Sequence, residues 1–176
     1  DEFCPNSDYR ELSHIISEKH YERVKGLLNN QTVLIGGGFN DEIRLIEPTL
    51  LDETDPESPI MQQEIFGPIL PLITYTDIDW CIDFIRNRPK PLAFYLFTED
   101  KAVKKKIMGS CSFGGACIND AMVHVANHHL PFGGVQQSGM GSYHGKYSFL
   151  TFSHQRSIVS RSSHFDMAAR YRPYTE

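Results

Sequence analysis

Cys117 closes a short apolar run and His124 follows a few residues later. A thiol beside an imidazole is the arrangement from which a thiolate nucleophile is made. The small residues around Cys117, Gly114-Gly115-Ala116, suit equally a buried structural thiol, the commoner fate of free cysteine. His124 and His128 stand four apart, as helical zinc ligands do, but neither an HExxH glutamate nor a third ligand accompanies them. No metal site is expected.

Two further stretches carry usable side chains. Glu64-Ile65-Phe66-Gly67-Pro68 sets a carboxylate beside an aromatic ring and a rigid Gly-Pro turn. A carboxylate can accept two hydroxyl hydrogen bonds, as a ribose offers, and a phenyl ring can pack on a planar group. An acidic turn next to a core phenylalanine satisfies the same letters. Leu130 to Gly145, LPFGGVQQSGMGSYHG, repeats glycine at 133, 134, 139, 141 and 145 around Phe132, Tyr143 and His144. Linkers favour glycine with serine and few rings, so this reads as a packed loop lining a pocket. His144 could donate or accept there, or satisfy a loop carbonyl. The segment is no dinucleotide fingerprint, because His144 stands where the third glycine belongs and Gly134 to Ser138 is a poor strand.

Composition narrows the class. A chain of 176 residues, 40% hydrophobic, suffices for one ordinary domain with a core. A net charge of -5 argues against a nucleic-acid partner. Lys101, Lys104, Lys105 and Lys106 suit the wet face of a helix. No apolar run spans a bilayer and no signal-peptide pattern appears, while the start Asp1-Glu2-Phe3 suggests a processed chain or a fragment. Cys4, Cys81, Cys111 and Cys117 form no CxxC pair, which favours reduced thiols and a cytoplasmic location.

The elements that must position these residues follow from periodicity. Tyr21, Val24, Leu27 and Leu28 share a helical face that Asn29-Asn30 ends. Thr32-Val33-Leu34-Ile35 reads as a buried strand closed by Gly36-Gly37-Gly38. Leu45 to Leu51 is extended and broken by Pro48; Asp52 to Pro59 is an acidic surface loop. Ile69 to Tyr75 is a strand that Pro71 pushes toward an edge. Asp77 to Arg88 is a helix with Ile78, Cys81, Ile82 and Ile85 as its stripe. Leu92 to Phe97 is a strand covered on both faces, Asp100 to Met108 a helix ended by Gly109, and Gly114 to Ile118 a strand leading to Asn119. Ser148 to Ser160 reads as extended, and the tail from Ser160 as an arm. Alternating strands and helices argue for an α/β chain with a parallel sheet, whose ligand sites gather past strand carboxyl ends. Asn119 and the glycine loop occupy such a place.

Gln63-Glu64-Ile65-Phe66-Gly67-Pro68, Lys90-Pro91-Leu92-Ala93, Leu130-Pro131-Phe132-Gly133-Gly134-Val135 and Ser138 to Lys146 together resemble the aldehyde dehydrogenase superfamily. Ser148-Phe149-Leu150-Thr151-Phe152-Ser153-His154 resembles its class 3, fatty-aldehyde branch. The resemblance implies part of a doubly wound, parallel-sheet catalytic domain (residues 1–147) followed by an oligomerisation strand and tail (148–176) that pairs subunits as a homodimer. It implies oxidation of an aldehyde to a carboxylic acid with NAD or NADP, through a cysteine thioester. Glu64 matches the ligand of the nicotinamide ribose and Phe66 the residue packed on the cofactor. Phe132 and His144, with Asn119, fall at the aldehyde entrance.

Departures matter. The family's nucleophile lies in a Gly-Gln-x-Cys-type motif that this chain lacks, so none of its residues is assigned as catalytic. Gln63 stands where an acidic residue is usual, and Gln136 where class 3 has glycine, which bears on the shape of the entrance. No apolar C-terminal anchor of the membrane-bound members is present, which implies a soluble form. A non-enzymatic alternative is a truncated member acting as an oligomerisation module; an independent thiol enzyme using Cys117 is a third. Strands missing their neighbours would leave a sheet edge prone to self-association.

Overall fold

The computed structural model describes Tyr9 and residues 12–174; Cys4 lies outside them. The chain divides into two compact units, residues 1–77 and 78–176, where length alone pointed to one domain.

The first unit is built on α1 (Glu18–Gly26), whose N-terminus Ser17 caps by accepting from His20 N. The expected apolar face is real. Tyr21, Val24 and Leu27 are buried with Ile46, Leu51, Ile60 and Ile69, and Leu28 packs against the cluster half-buried. Full burial of such a side chain contributes about 1.5–3 kcal/mol. β1 (Thr32–Ile35) pairs antiparallel with β4 (Thr49–Asp52), and β4 pairs parallel with β5 (Ile69–Pro71). β2 (Phe39–Asn40) and β3 (Leu45–Ile46) form a separate two-stranded ladder. Pro48 does interrupt the 45–51 stretch, separating β3 from β4.

Three expectations need correction here. β1 is not buried: Val33, Leu34 and Ile35 are 41%, 55% and 63% exposed, because β1 has one neighbour and sits at the margin of a three-stranded sheet. β5 ends at Pro71 rather than Tyr75, although its edge position is as expected. The acidic 52–59 loop is not wholly on the surface, since Thr54 is buried.

Two glycines of the 36–38 turn are obligatory. Gly36 has φ +78°, and a Cβ there would stand 2.1 Å from Pro48 O. Gly37 N donates to Thr49 Oγ1 at 3.0 Å and has φ +90°.

In the second unit α2 (Ile78–Arg86) and α3 (Lys101–Ser110) bury Ile82 and Ile107 with Leu96. β6 (Ala93–Leu96) and β7 (Gly115–Ile118) are parallel and in register from Ala93–Gly115 to Leu96–Ile118, with α3 as the crossover. Asp100 caps α3 through Ala102 N and Val103 N. The four lysines are exposed, and Lys106 pairs with Asp79. The α/β expectation holds, with both parallel ladders short. β6 is only half-buried outside Leu96, a two-stranded ladder offering little cover, and Gly109 lies within α3 rather than ending it. α4 (Val123–Ala126) follows.

The largest departure is α5 (Gly145–Thr151), helical where an extended chain was expected from Ser148. Two hydroxyls close it: Ser148 Oγ accepts from His144 N at 3.0 Å, and Thr151 Oγ1 donates to Ser142 O at 2.7 Å. Residues 153–160 are exposed and irregular. Beyond them Asp166 accepts from Arg161 and Tyr171, so the arm is locally folded. No helix among the described residues is long and apolar enough to cross a membrane.

Asp41 anchors α1 through two polar contacts. Tyr21 Oη donates to Asp41 Oδ1 at 2.6 Å, and Lys25 Nζ reaches the same oxygen at 2.6 Å. Burial, then the Asp41 contact, pushes the Tyr21 phenol up to about 12 from 10.0. The folded state therefore holds this proton more tightly than the unfolded one. Its contribution is complete below pH 10 and is lost as pH rises toward 12. Tyr21→Phe is expected to cost about 1–3 kcal/mol at neutral pH. It should also flatten the fall in stability across pH 10 to 12, read by denaturant titration at each pH.

Candidate functional site

The Glu64 segment is an irregular stretch between Met61 and β5, and α1 supplies its backbone partners. The Arg23 guanidinium donates to Gln63 Oε1 (2.5 Å), Glu64 O (3.3 Å) and Ile65 O (2.6 Å). His20 Nε2 bonds Phe66 O at 2.8 Å, and its Nδ1 faces Arg23 Nε and Nη2 at 3.4 and 3.3 Å. The carbonyl can only accept, so Nε2 carries the proton and Nδ1 receives from Arg23. Gly67 fits against α1 so closely that a Cβ would stand 2.7 Å from Val24 Cγ1.

Phe66 is the residue this framework displays. It is 74% exposed with φ +51°, so it is not the core phenylalanine of the alternative reading. A left-handed backbone at a bulky residue costs about 1–2 kcal/mol and persists only where neighbours hold it. Glu64 is exposed beside it. Gly67 and Pro68 continue into an open apolar hollow of about 460 Å³ whose walls include Ile35, Leu50 and Leu70. An exposed carboxylate and an exposed ring on one short segment fit a ribose and a planar ring system. Gln63, the departure from an acidic residue, places its amide oxygen on Arg23.

The second unit holds the glycine loop, and it is packed rather than linker-like. Phe132 and Tyr143 exchange backbone bonds at 3.1 and 2.9 Å, and their rings meet edge-on at 5.7 Å. His144 lies 4.3 Å from the Tyr143 ring and 6.1 Å from Phe132. A Cβ on Gly133 would stand 2.1 Å from Gly141 O, and one on Gly134 2.1 Å from Ser138 O, so backbone touches backbone. Gln136 adopts φ +55°, a conformation that glycine takes without strain. His144 has φ +91° and a buried Nδ1 without a hydrogen-bond partner.

His124 joins this cluster from beneath. Its ring tilts on Phe132 at 5.6 Å and meets Tyr95 edge-on at 5.9 Å, and Gly115 lies against its Cδ2. Cys117 Sγ and His124 Nδ1 are 3.2 Å apart and buried. The thiol–imidazole pair foreseen from the sequence therefore exists, but inside the fold. α4 ends at Ala126, so His124 and His128 do not share a helical face; His128 instead meets the His144 ring at 5.4 Å. Asn119 ends β7 with φ +56°. Its amide accepts from Thr98 N (2.7 Å) and donates to Thr98 O and Glu99, tying it to the turn after β6 rather than to the ring cluster.

Sequence reasoning missed His20 and Arg23. Their spacing three apart beside Tyr21 and Val24 puts them on the margin of the buried face, the one signal available.

The aldehyde dehydrogenase family model matches residues 5–158, and the chain belongs to that family. Its relatives are of class 3. It is 48% identical to 4,4'-diaponeurosporen-aldehyde dehydrogenase of Staphylococcus aureus over 93% of this chain and 36% of the relative. It is likewise 48% identical to the rat dimeric NADP-preferring aldehyde dehydrogenase, over 93% of this chain and 37% of that protein. The substrate-bound S. aureus AldH structure superposes with a TM-score of 0.82 at 49% identity, covering 92% of this chain and 36% of that one. The Mycobacterium tuberculosis aldehyde dehydrogenase complexed with NAD+ gives 0.75 at 29% identity, over 86% and 32%. This chain thus spans about a third of the length of these relatives.

Among the described residues Cys81 and Cys111 are half-buried and Cys117 is buried. Burial raises the Cys111 thiol, and Cys117 is 6% exposed. In the native chain iodoacetamide should modify Cys117 last, roughly tenfold or more behind Cys81. Denaturation should remove the difference. Native-state labelling of Cys117 first would instead make it an accessible nucleophile.

Proposed function

We propose that this chain supplies cofactor-binding and aldehyde-entrance residues to an NAD(P)-dependent class 3 aldehyde dehydrogenase. The enzyme would oxidise aldehydes, fatty aldehydes among them, to carboxylic acids through a cysteine thioester. One observation carries the reading: Glu64 and Phe66 are both exposed on a segment whose backbone is held by another element. Such fixed display is what a ligand site requires, and a core or an acidic turn does not.

In this reading Glu64 accepts the ribose hydroxyls, and Phe66 packs on the cofactor and limits its travel. The bound nicotinamide supplies the hydride acceptor. Phe132, with His144, walls the aldehyde entrance, excluding water and orienting the apolar tail of the substrate. Asn119, the third substrate-side residue of this reading, fixes the turn after β6 through Thr98. The attacking thiolate comes from a Gly-Gln-x-Cys-type motif that is not among these 176 residues, so the chain by itself oxidises no aldehyde. Residues 1–147 then act as part of the catalytic domain, in the cytoplasm, where the thiols stay reduced. In the complete enzyme, Glu64→Gln should raise KM for NAD(P) roughly tenfold with aldehyde KM unchanged. Phe132→Ala should do the reverse. Equal effects of both substitutions on both constants would defeat the assignment.

Residues 148–176 serve as the pairing segment of a homodimer. The supporting observation is a run of exposed apolar side chains, Phe149, Phe152, Ile158 and Val159, on a stretch without sheet partners. If so, light scattering should show removal of 148–176 halving the mass; an unchanged mass would refute pairing through this segment. A catalytically silent chain pairing in this way is the second reading.

A further inference from the structure

Arg23 and His20 between them bond four successive residues of the Glu64 segment, and the His20 ring meets the Phe66 ring edge-on at 6.2 Å. The guanidinium takes Gln63 Oε1, Glu64 O and Ile65 O, and His20 takes Phe66 O. All three guanidinium nitrogens are engaged on protein acceptors, Nε and Nη2 facing His20 Nδ1. The carbonyls they satisfy belong to a segment outside any strand, and Phe66 stands in the left-handed region at φ +51°. Ile65 packs against the core and Gly67 against Val24, and these donors fix the carbonyls of the residues in between.

We propose that Arg23, with His20, is the positioning residue of the cofactor site: the pair sets the backbone from which Glu64 and Phe66 reach the nucleotide. The proposal rests on the reading of Glu64 and Phe66 as cofactor contacts. It also assigns Arg23 a role distinct from the one its charge invites. A guanidinium in a dinucleotide enzyme invites assignment to the 2′-phosphate of NADP, but that phosphate is on the adenosine ribose, at the other end of the dinucleotide from the nicotinamide ribose that Glu64 would hold. Here its donors are already directed at the protein, so Arg23 serves NAD and NADP alike. A lysine cannot replace it, because a single ammonium lacks the planar fork that spans Gln63, Glu64 O and Ile65 O. Glutamine can partly replace His20, having one donor for Phe66 O and one acceptor for Arg23.

Steady-state kinetics of the complete enzyme with each nucleotide test this. Arg23→Gln should raise KM for NAD and for NADP by the same factor, about tenfold, with kcat changed less than threefold. Arg23→Lys should recover little of it. His20→Ala should raise both constants, and His20→Gln should restore most of the loss. A defect confined to NADP would overturn the proposal in favour of a direct phosphate contact. Unchanged constants for both nucleotides in a folded variant would overturn it outright. Should Arg23→Gln fail to fold, the His20 pair decides by whether glutamine rescues what alanine loses. Glu64→Gln separates the two levels: if it leaves both constants unchanged, the cofactor reading itself fails. If it raises them while the Arg23 and His20 variants do not, only the present inference fails.

Discussion

Three consecutive peptide carbonyls, those of Glu64, Ile65 and Phe66, have no strand to pair with, and the first unit is arranged around supplying them with donors. Water could satisfy exposed carbonyls, but only fixed side-chain donors dictate where they point. α1 answers with two side chains three residues apart, on the turn that also buries Tyr21 and Val24. One helix thus packs the core with one face and fixes the displayed loop with the margin of that face. Tyr21 and Lys25, sharing Asp41, hold the helix from the other direction. The exposure of Phe66 is a product of this arrangement rather than of poor packing.

The second unit reaches rigidity differently. Its glycine loop is held by contact of backbone with backbone, Gly133 on Gly141 and Gly134 on Ser138, in places where a side chain has no room. Rings then fill what remains: Phe132 touches Tyr143, His144 and His124, and His124 in turn leans on β7 through Cys117 and Gly115. Charge plays little part. The glycine loop is assembled from apolar faces and imidazoles.

Much of this was legible in the sequence, and the exceptions have physical causes. The helix of Tyr21, Val24 and Leu27, the helix that starts after Asp100 and the parallel pair flanking α3 follow from periodicity, which is local. The packed glycine loop follows from its rings. The exposure of Thr32 to Ile35 was not legible, because an apolar strand reads as buried whether or not a neighbour exists to cover it. α5 was not legible because Tyr147, Phe149 and Thr151 favour strands, while the Ser148 and Thr151 hydroxyls that close the helix find their backbone partners, His144 N and Ser142 O, outside the segment. The partnership of Arg23 with residues 63–66 is tertiary, and helical periodicity marks Arg23 only as marginal. The motif at 63–68 was recognisable as letters long before its support was.

Val24 and Gly67 show how far that support reaches. The valine fills the floor of the first core and simultaneously occupies the volume into which any side chain at 67 would grow. Bulk at one position and its absence at the other are a single constraint divided between two distant points of the chain. Drift at either one is tolerable only if the other drifts in compensation, so the helix and the motif must change as a pair.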